Sequence, residues 1–355
     1  MNKQVNRIDF TGQDIFCGLD VHKRQWKATT CTAHVVKRTV TINPPFVQSL
    51  KKYLDTNFSG GNFLVAYEAG FSGFWAQKEL ESVGIRTLVV NPADIPTSDK
   101  DRKHKDDVRD SRKIATSLRS GELEGIYVPE DEALAFRGLV RERETITKAE
   151  QKIKNQIRCY LDFCGINIPE EMSNRSWSVR FIKWLHNIQS ERKDFKLKFQ
   201  LMRLTEVRKV KSEMLNEIRN IMNMPPYEFT TKILQSVPGV GIVVSMVLLA
   251  EIGDIHRFTK DDHLISYAGF IPTTKNSGEK ERIGTMTNRK NKRINAVMIQ
   301  AAWVAYKCDQ ELLAKYEGYR KRMGAQKAIV RIAKILLRRI YILWKRGELY
   351  RKSEV

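Results

Sequence analysis

Four carboxylates stand where a folded chain has no evident need of them. Asp20 closes the run Phe16-Cys17-Gly18-Leu19-Asp20. Glu68 closes Phe63-Leu64-Val65-Ala66-Tyr67-Glu68, and Asp107 and Asp110 fall in Lys105-Asp106-Asp107-Val108-Arg109-Asp110. The first two end apolar, strand-like runs, and the last two are spaced to share one face of a helix. Acids that converge on a sheet rim repel one another, and a divalent cation such as Mg2+ or Mn2+ removes that cost. Two such ions held roughly 4 Å apart can activate an attacking oxygen and stabilise a leaving one in phosphoryl transfer. Each acid alone has a plain structural alternative: Asp20 can open a turn into Val21-His22-Lys23, and Asp107 can cap a helix. The order strand, strand, helix pair favours the metal site.

The bulk composition supplies the substrate class. The chain has 355 residues, with 62 Lys and Arg against 41 acids, a formal charge of +21. Such a surplus points to a polyanionic partner, nucleic acid or an anionic membrane surface. The longest apolar run, around Val243 to Ala250, is too short to span a bilayer. The N-terminal residues lack the apolar core of a signal peptide, so a cytoplasmic, nucleoid-associated location is expected. The five cysteines include no CxxC pair, which argues against a disulfide framework or a structural zinc site. The six histidines show no ligand spacing, and His22 and His104 read as polar loop residues beside the acids.

The elements that must position the acids are legible in outline. Residues 14 to 42 read as three strands joined by short links, hence antiparallel. A helix over 46 to 54, a strand over 62 to 67, a helix over 71 to 83 and a strand over 86 to 90 follow. This alternation predicts a mixed sheet with helical crossovers, of α/β class. Residues 91 to 102 read as loop, and 107 to 118 as helix. From 129 to about 165 the pattern is helical, with Leu139, Ile146, Ile153 and Tyr160 seven residues apart, half of a heptad seam. This suits a coiled-coil or helix-hairpin arm. Residues 171 to 230 are helical without sharp periodicity. Val237-Pro238-Gly239-Val240-Gly241 is a glycine turn before an apolar helix over 242 to 252. A polar segment with Ser277-Gly278 precedes another helix over 291 to 306. The tail from 320 to 352 reads as one basic amphipathic helix, one face packed and the other offered to phosphates.

The short motifs Gly18-Leu19-Asp20-Val21-His22-Lys23, Tyr67-Glu68-Ala69 and Lys105-Asp106-Asp107-Val108-Arg109-Asp110 closely resemble those of the DEDD insertion-sequence transposases, described as bridge-RNA-guided serine recombinases. The resemblance continues in Ser236-Val237-Pro238-Gly239-Val240-Gly241, Tyr267-Ala268-Gly269-Phe270-Ile271-Pro272 and Asn276-Ser277-Gly278. It implies an RNase-H/resolvase-like mixed sheet at the N-terminus, a long helical arm and a mostly helical C-terminal transposase domain. It also implies that Asp20, Glu68, Asp107 and Asp110 form the metal-binding catalytic tetrad and that Ser277 is the nucleophile. By the same resemblance the partners are the element's DNA ends and target, a noncoding guide RNA and further copies of the chain, as a dimer or tetramer. Asn276 stands where the family often has a second serine, and Asn288-Arg289-Lys290-Asn291 lacks the family's usual glycine.

Residues suited to phosphate contacts are Lys275, Lys280, Arg282, Arg289, Lys290, Lys292 and Arg293. Gly239 and Gly241 suit either a helix-hairpin-helix phosphate site or a turn that packs two helices. The expected division is residues 12–128 for the catalytic domain and 129–230 for the arm and linker. Residues 231–318 form the transposase domain and 319–355 the basic helix. Two rivals use the same residues: a metal-dependent junction-resolving nuclease with water as nucleophile, and a non-catalytic nucleic-acid binding protein. A membrane-surface protein using the basic tail is a more distant alternative.

Overall fold

A computed structural model describes residues 8–96, 107–172, 176–277, 280–286 and 290–351. The chain forms two compact units, Met1–Val128 and Pro129–Val355.

In the first unit, β1 (Asp14–Val21), β2 (Trp26–Cys31), β3 (Val36–Ile42), β4 (Asn62–Glu68) and β5 (Arg86–Val90) form one sheet in the order β3-β2-β1-β4-β5. The pairs β1–β2 and β2–β3 are antiparallel, as their short links require, whereas β1–β4 and β4–β5 are parallel. The parallel crossovers are α1 (Phe46–Asn57) and α2 (Trp75–Ser82). The predicted mixed α/β sheet is therefore present. Ile15, Cys17, Leu19 and Val21 of β1 face Val47, Leu50, Leu54, Ala76 and Leu80 in one core. Phe16 and, on β4, Leu64 and Ala66 face the opposite side with Ile114 and Leu118 of α3 (Asp107–Arg119). The helix expected over 71–83 is shorter. Residues 70–73 form a turn, with Gly73 N donating to Gly70 O at 3.1 Å and the Tyr67 hydroxyl donating to Gly73 O at 3.0 Å.

Among its described residues the second unit is helical apart from one hairpin. α4 (Asp131–Phe163) and α6 (Phe195–Met222) run antiparallel: Glu150 meets Arg208 and Lys211, and farther along α4 the Tyr160 hydroxyl meets Asp194. The buried stripe of α4 is Phe136, Val140, Glu150, Ile153, Ile157 and Leu161, so of the four seam positions expected only Ile153 is fully buried. The partner is a helix of the same chain, and the seam drifts at the α-helical period instead of holding a strict heptad. Together with α5 (Val179–Glu191), the outer part of this arm closes a small core of its own around Phe181, Leu185 and Leu201.

The inner end of the arm joins a larger core built by α7 (Glu228–Ser236), α8 (Ile242–Ile252), α9 (Asp261–Tyr267), α10 (Lys292–Cys308), α11 (Gln310–Met323) and α12 (Ala325–Arg346). The tail is not one helix from 320. Gly324 at φ +80 separates α11 from α12. Ile329, Ile332, Leu336, Leu337 and Ile340 of α12 sit in the core, while Arg338 and Arg339 pair with Asp261, Asp262, Asp309 and Glu311. The polar segment after residue 271 forms an antiparallel hairpin of β6 (Pro272–Ser277) and β7 (Lys280–Met286). All five cysteines are free. Among the described residues no helix is long and apolar enough to cross a membrane.

Glu150 is expected to make the arm acid-sensitive. It is 4% exposed and lies beside Lys154 at 2.6 Å, Arg208 at 3.2 Å and Lys211. Burial alone pushes its carboxyl up, but the three cations outweigh burial and bring it down to about 2. A depressed carboxyl adds stability above its unfolded value, roughly 4.3, and that stability is lost as pH falls toward the folded value. Far-UV melts between about pH 4 and 2 are therefore expected to show the arm loosening. Glu150→Ala should remove that acid step and cost about 3 kcal/mol at neutral pH, because three cations lose their shared partner.

Candidate metal centre

Gly18 lets the acids meet. Side chains of β1 alternate, so Phe16, Gly18 and Asp20 point toward α3. A Cβ at Gly18 would stand 2.2 Å from the Ser111 carbonyl oxygen and 2.3 Å from the Ala115 backbone nitrogen. Only a hydrogen there allows the helix to lie on the strand. Buried Ser111 adds a direct tie, its hydroxyl 2.8 Å from that of Thr29 on β2. The face of α3 that carries Ser111, Ile114, Ala115 and Leu118 continues one turn toward the N-terminus as Asp107 and Asp110. Docking at Gly18 thus delivers both acids to the end of β1.

Parallel pairing brings the other acid close. Leu19 of β1 lies beside Tyr67 of β4, so the next residues, Asp20 and Glu68, stand side by side at the carboxyl ends of adjacent strands. In open α/β sheets ligands bind outside those ends. Asp20 is the most enclosed of three acids, its side chain 21% exposed against 29% for Asp110 and 42% for Asp107. Glu68 is exposed, and Asp110 lies 3.4 Å from Lys113.

His22 joins this group. Its Nε2 is 3.0 Å from Asp20 Oδ2 and 3.6 Å from Asp107 Oδ2. One donor atom from each of Asp20, His22 and Asp107 lies within 4.8 Å of the other two. His22 does lie in the loop that follows β1, as expected of a polar loop residue, and its ring also joins the acid group. The sequence signal for that is its place two residues after Asp20, at the end of the strand. Burial raises the Asp20 carboxyl; His22 lowers it, and Asp107 and Asp110 raise it again, for a net upward shift. A half-buried acid held among like charges is relieved by a cation. Carboxylate oxygens suit Mg2+, and an imidazole among them also suits Mn2+. Beside the acids, His22, Lys23, Arg24, Gln25, Phe71 and Asp107 line an open cleft of about 660 Å3.

The second unit holds the remaining candidates. Ser277 is the last residue of β6 and pairs with Lys280, while Lys275 pairs with Arg282. Lys292 is exposed at the start of α10, and Lys290 is half-buried against Gly269. Arg293 donates to Glu144 of the arm at 2.5 Å. Arg289, Gly278, His104 and Asp106 lie outside the described residues. Gly239 has φ +81, and a Cβ there would stand 2.4 Å from the Ala301 carbonyl oxygen, which ties the turn to α10. Gly241 is exposed and open at the N-terminus of α8.

Two family models match this chain. A transposase model of the DEDD IS110 type covers residues 17–166, and one described as the transposase IS116/IS110/IS902 family covers 231–317. Over both matched segments the chain is similar to transposases of the IS110 type. The four acids fall in the first match and Ser277 in the second. Among its relatives, a putative transposase of Sinorhizobium fredii is 28% identical over 67% of this chain and 57% of its own length. The transposase for insertion sequence element IS1533 of Leptospira borgpetersenii is 26% identical over 68% of this chain and 70% of its own. The transposase for IS1111A of Coxiella burnetii is 24% identical over 96% of this chain and 89% of its own. The match therefore spans little more than half the length of the first of these relatives.

Proposed function

We propose that this protein is a DNA recombinase that moves an insertion element, cutting and rejoining DNA at its ends and target. The observation that carries the reading is the meeting of Asp20 with His22 and Asp107 at the carboxyl end of β1, beside the end of the parallel strand β4, with Asp110 near enough to raise the Asp20 carboxyl. Asp20, Glu68, Asp107 and Asp110 would hold Mg2+ or Mn2+, with His22 beside them. The bound cation would supply charge stabilisation at the scissile phosphate. The strand order β3-β2-β1-β4-β5, with a helix against β1 on the acid-bearing face, supports an RNase-H/resolvase-like reading of the first unit.

Ser277, at the tip of the β6–β7 hairpin, is the proposed nucleophile. Its oxygen would form a phosphoester as the bond from phosphorus to the leaving deoxyribose oxygen breaks. That exchange conserves the bond for rejoining. Lys275, Lys280 and Arg282 on the same hairpin, with Arg289, Lys290 and Lys292, would contact phosphates. A charge of +21 is consistent with holding structured RNA as well as DNA, and a noncoding guide RNA and a dimer or tetramer complete the proposal.

The test is a cleavage reaction with the element's end DNA, its flanking RNA and Mg2+, resolved on a denaturing protein gel. Wild type is expected to show a DNA-linked band that Ser277→Ala abolishes. DNA cut to the same extent by Ser277→Ala, with no linked protein, would replace the serine mechanism with hydrolysis by water.

A further inference from the structure

Glu251 is a buried carboxylate that the proposed chemistry does not use. It sits on α8 with its side chain 1% exposed. Arg141 of the arm helix α4 grips it with two hydrogen bonds of 2.8 Å, Nε to one oxygen and the terminal nitrogen to the other. The Asn291 side-chain amide donates to it at 2.9 Å, and Arg293 lies 3.8 Å away while bonded to Glu144 of the same arm helix. Arg137, one turn before Arg141, donates to the neighbouring Ala250 carbonyl at 2.7 Å. Burial raises the Glu251 carboxyl, but the Arg141 and Asn291 hydrogen bonds outweigh it and hold it below the usual carboxylate range.

The partners of Glu251 mark the base of the hairpin. α9 ends at Tyr267, Ala268 and Phe270 still pack in the core, and the chain then runs through β6 and β7 before Asn291 opens α10. Tyr267 and Asn291 are joined to each other: Asn291 N donates to Tyr267 O at 2.8 Å, and the Asn291 amide lies 3.2 Å from the Tyr267 hydroxyl. That hydroxyl in turn donates to the Glu251 backbone oxygen at 3.4 Å. Asn291 also caps α10, accepting from Arg293 N and Ile294 N. Asn295 on the first turn of α10 donates to Ala268 O at 2.9 Å. A two-stranded hairpin is marginal by itself in water, so its direction is set by what holds its ends.

We propose that Glu251 is the positioning residue of this hairpin. Its carboxylate ties Asn291, and through Asn291 the end of α9 at Tyr267, to Arg141, and so aims the hairpin from the arm. The consequence for Ser277 rests on the nucleophile reading above; the mechanical claim does not. A buried ion pair is weak evidence for stability but well suited to fixing one arrangement among several. Misplacing a reacting group by about 1 Å can cost roughly a hundredfold in rate.

Two variants test it in the full-length protein: Glu251→Gln, which keeps the shape, and Arg141→Gln, at a side chain that is 44% exposed. Hydrogen exchange by mass spectrometry is expected to speed about tenfold in peptides covering 266–271 and 290–295, the opening expected when a hydrogen bond to a charged group is lost. Peptides inside α10, over 298–305, should keep wild-type exchange. The rate of protein–DNA linkage should fall about tenfold or more with DNA affinity unchanged. The double variant should lose no more than either single one, as members of one unit do.

Exchange that is unchanged at the hairpin base, or faster throughout α8 and α10, would overturn the proposal. So would additive losses. If wild type forms no linked DNA, the nucleophile reading fails, and the exchange pattern alone still decides whether Glu251 holds the hairpin.

Discussion

Asp20→Asn is expected to abolish DNA cleavage, by roughly a thousandfold, while leaving the fold at least as stable as before. The activity loss follows from the several kcal/mol that a bound cation contributes to a charged transition state, at 1.36 kcal/mol per decade. The stability follows from the sign of the Asp20 shift. Its folded carboxyl is raised by burial and by Asp107 and Asp110. A raised acid contributes stability below its unfolded value and loses it as pH rises through the folded one. At neutral pH the charge therefore opposes folding, and neutralising it removes that opposition.

Cation binding relieves the same opposition in the wild type. Mn2+ or Mg2+ at a hundred times its Kd should stabilise the first unit by about 2.7 kcal/mol. Thermal melts with and without the cation check this. An Asp20→Asn protein that keeps the full cation-induced rise in Tm would show that the ion binds elsewhere.

Gly18→Ala is expected to damage both fold and activity although the residue touches no substrate. The added Cβ would meet backbone atoms, Ser111 O at 2.2 Å and Ala115 N at 2.3 Å, and neither can rotate away. The helix must lift from the sheet. Overpacking of this kind costs typically 1–3 kcal/mol, and the upper end applies where the obstacle is main chain. Lifting α3 carries Asp107 and Asp110 away from Asp20, and a shift of about 1 Å there should cost roughly a hundredfold in cleavage. The Tm, the cation-induced rise in Tm and the cleavage rate should fall together. A variant with normal cleavage and a normal cation response would mean that the helix does not depend on this contact.

The two outcomes separate chemistry from scaffolding. Asp20→Asn should remove activity and keep the fold, whereas Gly18→Ala should reduce both, because one residue supplies a charge and the other supplies room. His22 lies between these cases, 3.0 Å from Asp20 and close enough to share an ion with it.

The sequence by itself determined the local facts of this protein. The charge of +21 is a sum over the chain, while the apolar runs ending at Asp20 and Glu68 and the short links of the first three strands are properties of neighbouring residues. Strand period and turn chemistry encode them directly. The i, i+3 spacing of Asp107 and Asp110 likewise placed both on one helix face.

What only the tertiary structure decided concerns residues far apart in the chain. Nothing local says that α3 docks on Gly18, that His22 turns toward Asp107, or that Arg141 crosses to Glu251. Each depends on which surfaces fit once backbones approach, and pattern along a chain does not record that. The arm shows the same limit. A seven-residue repeat suggested Leu139, Ile146, Ile153 and Tyr160, but the face buried on α4 was chosen by α6 of the same chain, and only Ile153 is wholly inside it. The hairpin after Phe270 was hidden because its polar residues carry no apolar alternation. At its base Asn291 donates to the Tyr267 carbonyl and to Glu251 of α8, contacts between residues far apart in the chain.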